Sequence, residues 1–396
     1  MKEGIILSKF RFKYKDIILG IILVLIIYEI IKDPTKSINS AKEGLNIWLN
    51  ILIPSLFPFI FITDLLISFG IVSLFTKYLE PIMNPLFKVS GIGIFPLSMN
   101  IMSGYPVGSR ITSKIRAEGL ISRTEANRLI CFTSTSGPLY VLGTVGTGML
   151  GLPELGLLLI LPHYLGAITN GLILSLYSPK EGEETAIEIQ YRHTISHKNT
   201  LNFGSVISKA VKDGMDSMIM IGGLVIIFSV IIDILISSPL FSLLTNYISK
   251  AINTEPEVVK GITAGIVEIT NGCNIVSKLN IPTINKILII NFIIGWGGFS
   301  VHSQAMSFIS KTDIKTAIYI FSKFFHGVFS SLYTYLIYLI FYKDRLLLAF
   351  KPLRGEINFN IKSWLEILTS STLNALCLLI FIFILSALVK EIKQRA

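Results

Sequence analysis

Long apolar runs alternate along this chain with short basic or polar segments. A helix needs about 20 apolar residues to cross the hydrocarbon core of a membrane. The first run, residues 17–31, follows a basic segment and precedes Lys-Asp-Pro rather than a small-residue cleavage site, so we expect a signal-anchor helix. Six further runs predict membrane-spanning helices: residues 51–75, 152–177, 218–236, 286–298, 316–342 and 368–389.

The composition indicates a polytopic membrane protein. Hydrophobic types make up 52% of the 396 residues and charged types only 15%, against about 25% in soluble proteins. The mean hydropathy is +0.67. The 35 Lys and Arg against 25 Asp and Glu give a net charge of +10, and the basic residues form short clusters between apolar runs. That arrangement is typical of cytoplasmic loops, so we expect no nucleic-acid partner.

Three apolar segments are too short or too interrupted to form continuous spans. They lie near residues 91–104, 128–150 and 258–272 and contain Gly, Pro, Ser and Thr. In a bilayer, non-helical backbone is tolerated only where protein or a water-filled cavity surrounds it. We therefore predict an all-α polytopic membrane protein with Gly/Pro-broken or re-entrant helices.

The chain also contains a weak internal repeat. Residues 64–68 are echoed by 233–237, residues 104–110 by 272–278, and the Asn-Arg pair 127–128 by the Asn-Lys pair 285–286, in the same order and at similar offsets. Duplicated halves with broken segments in corresponding positions predict a transporter site near the membrane midplane. Parallel and inverted halves both fit the pattern, and we favour inverted halves.

The repeat and a polar segment with a Glu cluster divide the chain into five predicted parts. They are an N-terminal basic segment with the signal anchor, a first repeat, a polar linker, a second repeat, and an interfacial segment with a last membrane helix. Their bounds are residues 1–40, 41–178, 179–213, 214–342 and 343–396.

The first candidate substrate site surrounds the Gly and Pro residues at 104–108. Asn100 and Ser103 precede this turn, Gly104 opens it and Arg110 follows it. In one interpretation Asn100 and Ser103 contact substrate and Arg110 offers its charge to an anion. In the other, the segment is a tight turn and Arg110 reaches lipid phosphate where the chain leaves the membrane.

The second candidate site is a run of hydroxyl residues before a Gly-Pro pair. Pro138 suits the first position of a new helix, whose free N–H groups would bind an anion without a buried Lys or Arg. The alternative is a helix contact with internally satisfied hydroxyls. The candidate residues are Thr133, Ser134, Thr135, Ser136 and Gly137.

The third candidate site is the counterpart in the second half. At the offset that matches Gly104 to Gly272, Glu268 aligns with Asn100. An ionisable residue at membrane depth is a candidate functional group, so Glu268 and His302 either bind or relay a proton or cation, or Glu268 is neutral and His302 interfacial. The candidate residues are Glu268, Asn271, Gly272, Asn274, Gly297, Gly298, His302 and Ser303.

Five further ionisable residues stand inside apolar runs. Asp64 and Asp233 are paired by the repeat, and they either coordinate a coupling ion or brace broken helices. His163, Lys323 and His326 are isolated in the sequence, so we expect a structural or interfacial role for each.

Signatures of enzymes are absent from the sequence. There is no Gly-x-Ser-Gly, Gly-x-Gly-Asp, His-Glu-x-x-His, Walker A or Rossmann motif. We expect a protein that is not an enzyme and that has no cofactor and no metal. The three cysteines lack a Cys-x-x-Cys spacing and are expected to be buried thiols.

Three strings resemble motifs of the YlbJ (SpoVV) family of sporulation integral membrane proteins: LIPSLFPF at 52–59, MSGYPVG at 102–108 and TSGPLYVLGTVGTGMLG at 135–151. The resemblance covers residues 40–340. This family belongs to the Gate, or nucleoside-recognition, group, which is similar to parts of concentrative nucleoside transporters and ferrous-iron transporters.

The resemblance implies a protein of endospore-forming bacteria, placed in the mother-cell-derived outer forespore membrane and needed for spore maturation and heat resistance. It implies transport of dipicolinic acid, whose planar dianion suits helix N-termini, hydroxyls and amides. A nucleoside or other small-metabolite transporter and a non-transporting assembly factor remain the alternatives. The expected partners are the small-molecule substrate and membrane lipid, with other sporulation membrane proteins and a homo-oligomer left open.

Overall fold

Helices form the regular structure of the described chain. A computed structural model describes residues 14–69, 81–176 and 203–342, and within these ranges there is no β-strand. The predicted all-α class is therefore confirmed.

The first half contains eight α-helices within the described ranges. They are α1 (Tyr14–Lys32), α2 (Pro34–Ile47), α3 (Ile53–Ser68), α4 (Pro81–Phe87), α5 (Ile94–Ser103), α6 (Val107–Ala117), α7 (Arg123–Phe132) and α8 (Gly156–Leu176). A short π-helix, Trp48–Leu52, joins α2 to α3, and a longer π-helix, Leu139–Met149, lies between α7 and α8.

The second half continues from α9 to α15. The helices are α9 (Phe203–Ser237), α10 (Pro239–Ile252), α11 (Pro256–Val267), α12 (Ile269–Ser277), α13 (Thr283–Trp296), α14 (Gly298–Ile309) and α15 (Thr316–Ile337). A π-helical turn, Tyr338–Tyr342, extends α15.

Four of the predicted spans are confirmed. In the part of the chain that the structure describes, the helices that are long and apolar enough to cross a membrane cover Pro153–Leu176, Phe203–Ser237, Thr283–Ile309 and Thr316–Tyr342, and α4 with residues 91–103 forms a bent fifth candidate. The run at 17–31 lies in α1, and the run at 51–75 forms α3 as far as Ser68. The run at 368–389 lies outside the described residues. Because α9 begins at Phe203, the end of the predicted linker is helical.

Two broken units follow in the same order in both halves. In the first, α5 and α6 flank a break at Gly104, and non-helical residues 133–137 separate α7 from the long π-helix. In the second, α11 and α12 meet at Glu268, and α13 and α14 meet at Gly297. The contacts between the two units are reciprocal. Helix α6 packs against α14, and their counterparts, α12 and the long π-helix, also pack together. In the same way α7 packs against α15, and α13 packs against α8. Reciprocal contacts of this kind are what two duplicated units produce.

The register of the repeat differs from the sequence match by about one helical turn. Phe132 is the last residue of α7, and Trp296 is the last residue of α13. The number of residues between the breaks at Gly104 and Glu268 equals the number between these two helix ends. Glu268 therefore corresponds to Gly104, and its alignment with Asn100 is wrong. The string match paired Gly104, which opens a break, with a glycine that lies inside α12.

Local signals explain where several helices begin and end. The Ser122 hydroxyl accepts the Glu125 N–H at 3.1 Å while the Glu125 carboxylate accepts the Ser122 N–H at 2.9 Å, which forms a capping box at the start of α7. Proline occupies the first turn of α2, α10 and α11, where its missing N–H costs nothing. Asn253 ends α10 with a φ of 51°.

The long helices turn apolar side chains outward and polar ones inward. On α15, Phe321 and Phe325 are exposed, whereas Lys323, His326 and Ser330 are buried. Positions three and four apart share one face of a helix. A helix whose polar face points into the protein is suited to lipid rather than to water.

Candidate functional site

The two breaks of the first half cross each other at a pair of glycines. Gly104 ends α5 with a φ of 80°, a conformation that favours glycine. A Cβ on Gly104 would lie 2.5 Å from the Gly137 nitrogen, and a Cβ on Gly137 would lie 3.1 Å from the Gly104 nitrogen. The two backbones touch here, and we call this contact the first crossing.

Asn100 holds the first crossing together from a fully buried position. Its Oδ1 accepts the Gly108 N–H at 3.1 Å, and its Nδ2 donates to the carbonyl and the hydroxyl of Thr135 at 3.2 and 2.5 Å. Two hydroxyl pairs extend the contact: Ser109 with Ser134 at 3.0 Å and Thr112 with Thr133 at 3.1 Å. The structure thus places Asn100, Thr133, Ser134 and Thr135 behind the crossing, with polar groups satisfied within the protein.

The second half has its own crossing, which is built around a carboxylate. Glu268 ends α11 and caps α12, where it accepts the Thr270 N–H at 3.0 Å and the Asn271 N–H at 2.7 Å. The Asn271 side-chain amide donates to the same carboxylate at 3.1 Å. An acceptor at a helix N-terminus satisfies N–H groups that lack partners. Gly298 lies across this break, since its Cβ would be 3.1 Å from the Ile269 nitrogen.

Gly272 and Gly297 are required by the backbone geometry of the second unit. A Cβ on Gly272 would lie 2.2 Å from the Cα of Gly265, so α12 and α11 approach each other too closely for any side chain. Gly297 ends α13 with a φ of 87°. Neither glycine lines the cavity described next.

The two crossings open onto one large cavity. Its volume is about 1250 Å³, above the 300–1,000 Å³ typical of small-molecule sites. Residues of α2, α3 and α9 form the remaining walls. The cavity brings together predicted site residues from both halves: Ser103, Gly104, Ser136, Gly137, Asp233, Glu268 and Asn271.

Sequence reasoning missed several polar residues of the cavity wall. They include Lys36, Glu43, Tyr105 and Gln304. Ser300 and Gln304 lie one turn apart on α14, directly after the Gly-Gly break, so their helical spacing was a usable signal. The polar sequence of α2 gave no such signal, because it resembles a surface helix.

Most of the charged side chains on the cavity wall have hydrogen-bond or ion-pair partners within the protein. Five charged side chains line the cavity: Asp33, Lys36, Glu43, Asp233 and Glu268. Asp33 accepts the Lys36 N–H at 3.0 Å. Asp233 accepts the Ser40 hydroxyl at 2.7 Å and lies 3.6 Å from Lys36 Nζ. With the capping role of Glu268, these contacts give three of the four carboxylates partners within the protein.

Arg110 and Asp64 lie outside the cavity in a buried ion cluster. Two guanidinium nitrogens of Arg110 donate to the two Asp64 oxygens at 2.9 and 2.7 Å, and Lys114 Nζ lies 2.9 Å from the same carboxylate. The remaining Arg110 Nε donates to the Ser217 hydroxyl at 2.8 Å. Arg110 is 5% exposed and Asp64 on α3 holds it inside the protein, so the interpretation in which it reaches lipid phosphate is wrong. The bracing interpretation of Asp64 fits this geometry.

His302, Asn274 and Ser303 also lie outside the cavity wall. His302 is buried against the end of α13, with Nε2 2.9 Å from the Trp296 carbonyl and its ring centroid 4.2 Å from that of the indole. Glu268 instead meets the N–H groups and the amide at the start of α12. The two residues, which the sequence analysis grouped, therefore have different partners, and Glu268 lines the cavity whereas His302 does not.

A buried basic cluster lies directly behind the first crossing. Lys323 Nζ donates to the Ser134 carbonyl at 2.8 Å, contacts His326 Nδ1 at 2.9 Å and bonds to the Tyr105 hydroxyl. His326 Nε2 lies 2.8 Å from the His163 carbonyl, and the two imidazole rings stack with centroids 4.5 Å apart. Lys323, His326 and His163 are each 0% exposed, and we call these three residues the Lys–His–His cluster.

The three residues are not isolated, because α8 and α15 bring them together, and their complete burial contradicts an interfacial position. His163 and His326 stand at nearly the same offset as the matched strings of the repeat. That offset was the signal that could have paired them.

Across residues 14–69, 81–176 and 203–342, no group of three or more His, Cys, Asp and Glu side chains is arranged to hold a metal ion. Cys131 and Cys273 are buried free thiols, as expected. Cys377 lies outside the described residues.

Two comparisons with known proteins agree with this architecture. A family described as nucleoside recognition, named Gate, matches residues 49–153, which contain the first crossing. The sporulation integral membrane protein YlbJ of Bacillus subtilis (strain 168) is 32% identical over 325 residues, which cover 78% of this chain and 79% of that protein. No solved structure matches the chain. The chain belongs to the YlbJ family of sporulation integral membrane proteins.

Proposed function

We propose that this chain is a membrane carrier for a small anionic metabolite, with dipicolinic acid as the first candidate, and that it works in the outer forespore membrane. One observation carries the proposal: the broken segments of both halves meet in a single cavity of about 1250 Å³. Sites of this kind, built from interrupted helices of two repeats, are typical of secondary transporters. No step of the proposed cycle requires catalysis.

The first crossing supports an anionic substrate. Gly137 and Pro138 line the cavity where the long π-helix begins, and the Tyr140 and Val141 N–H groups donate there to the Gly137 carbonyl at 3.2 and 3.1 Å. The positive end of the helix dipole at this point attracts anions. Lys323 lies just behind this wall, on the Ser134 carbonyl. A dianion gains more from these groups than a neutral molecule does.

A nucleoside is the second candidate. The matching family is described as nucleoside recognition. The cavity wall also offers the amides of Asn271 and Gln304 and the hydroxyl of Ser300, which suit the donors and acceptors of a base and a ribose.

Uptake into proteoliposomes tests both candidates. Labelled dipicolinate and labelled uridine are offered to the purified wild type, to Asn271→Leu, which places an apolar group in the cavity wall, and to Asn285→Leu, at an exposed asparagine outside the cavity. We expect saturable dipicolinate uptake that Asn271→Leu loses and Asn285→Leu keeps. Uptake of uridine alone would favour the nucleoside candidate. Absence of both, in protein that elutes as a folded species, would overturn the carrier and favour an assembly factor.

Localisation has its own test. A fluorescent fusion expressed in sporulating cells should label the membrane derived from the mother cell. Labelling confined to the inner forespore membrane would contradict the proposed site of action.

A further inference from the structure

We propose that the Lys–His–His cluster binds the coupling proton of the transport cycle, so that the anion and a proton move together. This inference rests on the proposed carrier function and names its coupling ion. It replaces the earlier candidates, since Asp64 is occupied by Arg110 and Lys114 and Asp233 by Ser40 and Lys36.

Lys323 and His326 share one hydrogen bond between titratable nitrogens, and His163 joins them through backbone groups. His326 Nε2 donates to the His163 carbonyl at 2.8 Å, which leaves Nδ1 to accept from Lys323 Nζ at 2.9 Å. His163 Nε2 accepts the Ser136 N–H at 2.9 Å. The proton of a neutral His163 must therefore be on Nδ1, an atom that is buried without a hydrogen-bond partner. Lys323 Nζ can pass a proton to His326 Nδ1 across their shared hydrogen bond, whereas His163 Nε2 is occupied by the Ser136 N–H.

The cluster has no fixed counter-ion among the described residues. The titratable groups that face it are uncharged or basic side chains: Tyr105, Cys131, Tyr164, His302 and Tyr319. No carboxylate in the described part of the chain lies within ion-pair distance of Lys323 Nζ, whereas Arg110 and Lys114 share Asp64. A buried positive charge without a partner is costly. An anion in the adjacent cavity would supply the missing negative charge.

Two cavity residues, Ser136 and Tyr105, connect this charge to the cavity. Lys323 and His163 hold the backbone of Ser134 and Ser136, and Ser136 lines the cavity together with Tyr105, which also bonds to Lys323. An anion at this wall stabilises the protonated cluster, and by reciprocity the protonated cluster binds the anion more tightly. The two therefore bind and leave together, which makes the coupling a symport.

The test is accumulation of labelled dipicolinate in proteoliposomes under an imposed pH gradient, with the membrane potential clamped by potassium and valinomycin. One proton per substrate predicts about tenfold accumulation for an acid-outside gradient of one pH unit, since each factor of ten corresponds to about 1.4 kcal/mol. Counterflow, the exchange of internal for external dipicolinate without a gradient, is measured in parallel.

Variants separate charge from proton exchange. Lys323→Arg keeps the charge but cannot release a proton, so counterflow should remain and accumulation should be lost. Lys323→Met should weaken counterflow and abolish its pH dependence. Lys286→Met is the matched control, because Lys286 contacts the Ser277 carbonyl at 2.9 Å and lies away from the cavity. His326→Gln repeats the test where a Lys323 variant fails to elute as a folded species.

The outcomes distinguish this inference from the carrier proposal. Wild-type counterflow without gradient-driven accumulation, or accumulation by Lys323→Arg and His326→Gln equal to wild type, overturns the proton site and leaves the carrier standing. Absence of counterflow in folded wild type overturns both.

Discussion

Replacing Asp64 by Asn should destabilise the protein by about 3–5 kcal/mol. Asp64 is 0% exposed, and its oxygens lie 2.7 and 2.9 Å from Arg110 and Lys114. Asn keeps the shape but leaves buried cations without their counter-ion, which costs about 3–5 kcal/mol. Lys114 retains Asp213 at 3.7 Å, so the loss falls mainly on Arg110. The change is a large part of the roughly 5–15 kcal/mol that typically stabilises a domain.

Asp233 provides a matched control. The sequence match pairs it with Asp64, but its side chain is 34% exposed and lies 3.6 Å from Lys36, so Asp233→Asn should cost about 0–1 kcal/mol. Unfolding of both variants is followed by tryptophan fluorescence in mixed micelles of increasing denaturing-detergent content. A double variant, Asp64→Asn with Arg110→Met, should recover part of the lost stability, because it removes the unpaired guanidinium.

The reasoning about Asp64 is refuted if Asp64→Asn unfolds at the same detergent content as Asp233→Asn. If that stable variant also lost transport, Asp64 would be an ion-binding residue rather than a brace.

Three further predictions concern the crossings and a surface ion pair. Gly108→Ala should abolish folding or strongly lower the melting temperature, because its Cβ would lie 1.6 Å from a carbonyl oxygen, whereas Gly223→Ala meets nothing within 4 Å and should melt no lower than wild type. Glu268→Ala should lower the free energy of unfolding by about 1 kcal/mol through loss of the α12 cap; unchanged detergent unfolding would contradict this. Arg116 donates to Asp313 and holds the pKa of that carboxyl below its ordinary value. The pair therefore stabilises the fold above about pH 3.9. This stabilisation is lost as the pH falls through the lowered pKa. The difference in melting temperature between wild type and Asp313→Asn should vanish over that window, and a constant difference would contradict the assignment.

The spans and breaks could be predicted because each leaves a local signal. Apolar runs of membrane length predicted four of the long helices, and Gly104, Gly137 and Gly297 mark points where helices end or cross. The breaks were predictable because glycine and proline interrupt sequence that is otherwise uniformly apolar.

Partners across the fold could not be predicted in the same way. Asp64 and Arg110 lie far apart in sequence, on α3 and α6, and nothing local to either residue indicates their ion pair. The offset of His163 and His326 carried the repeat signal, but the position of Lys323 against the first crossing depends on how α15 packs. The predicted alignment of Glu268 with Asn100 was wrong by about one turn. The sequence could not reveal the error, because a shift of about one turn preserves the face of a helix.

The most direct test of the account is protection of cavity cysteines by substrate. In a background without native cysteines, Ser103→Cys and Asn271→Cys place a thiol on the cavity wall in each half, and Ser307→Cys places one outside the wall. The account predicts that dipicolinate slows maleimide labelling at both cavity positions and leaves Ser307→Cys unchanged. Labelling rates at Ser103→Cys and Asn271→Cys that do not respond to dipicolinate, in protein that transports it, would contradict a substrate site shared by the two halves.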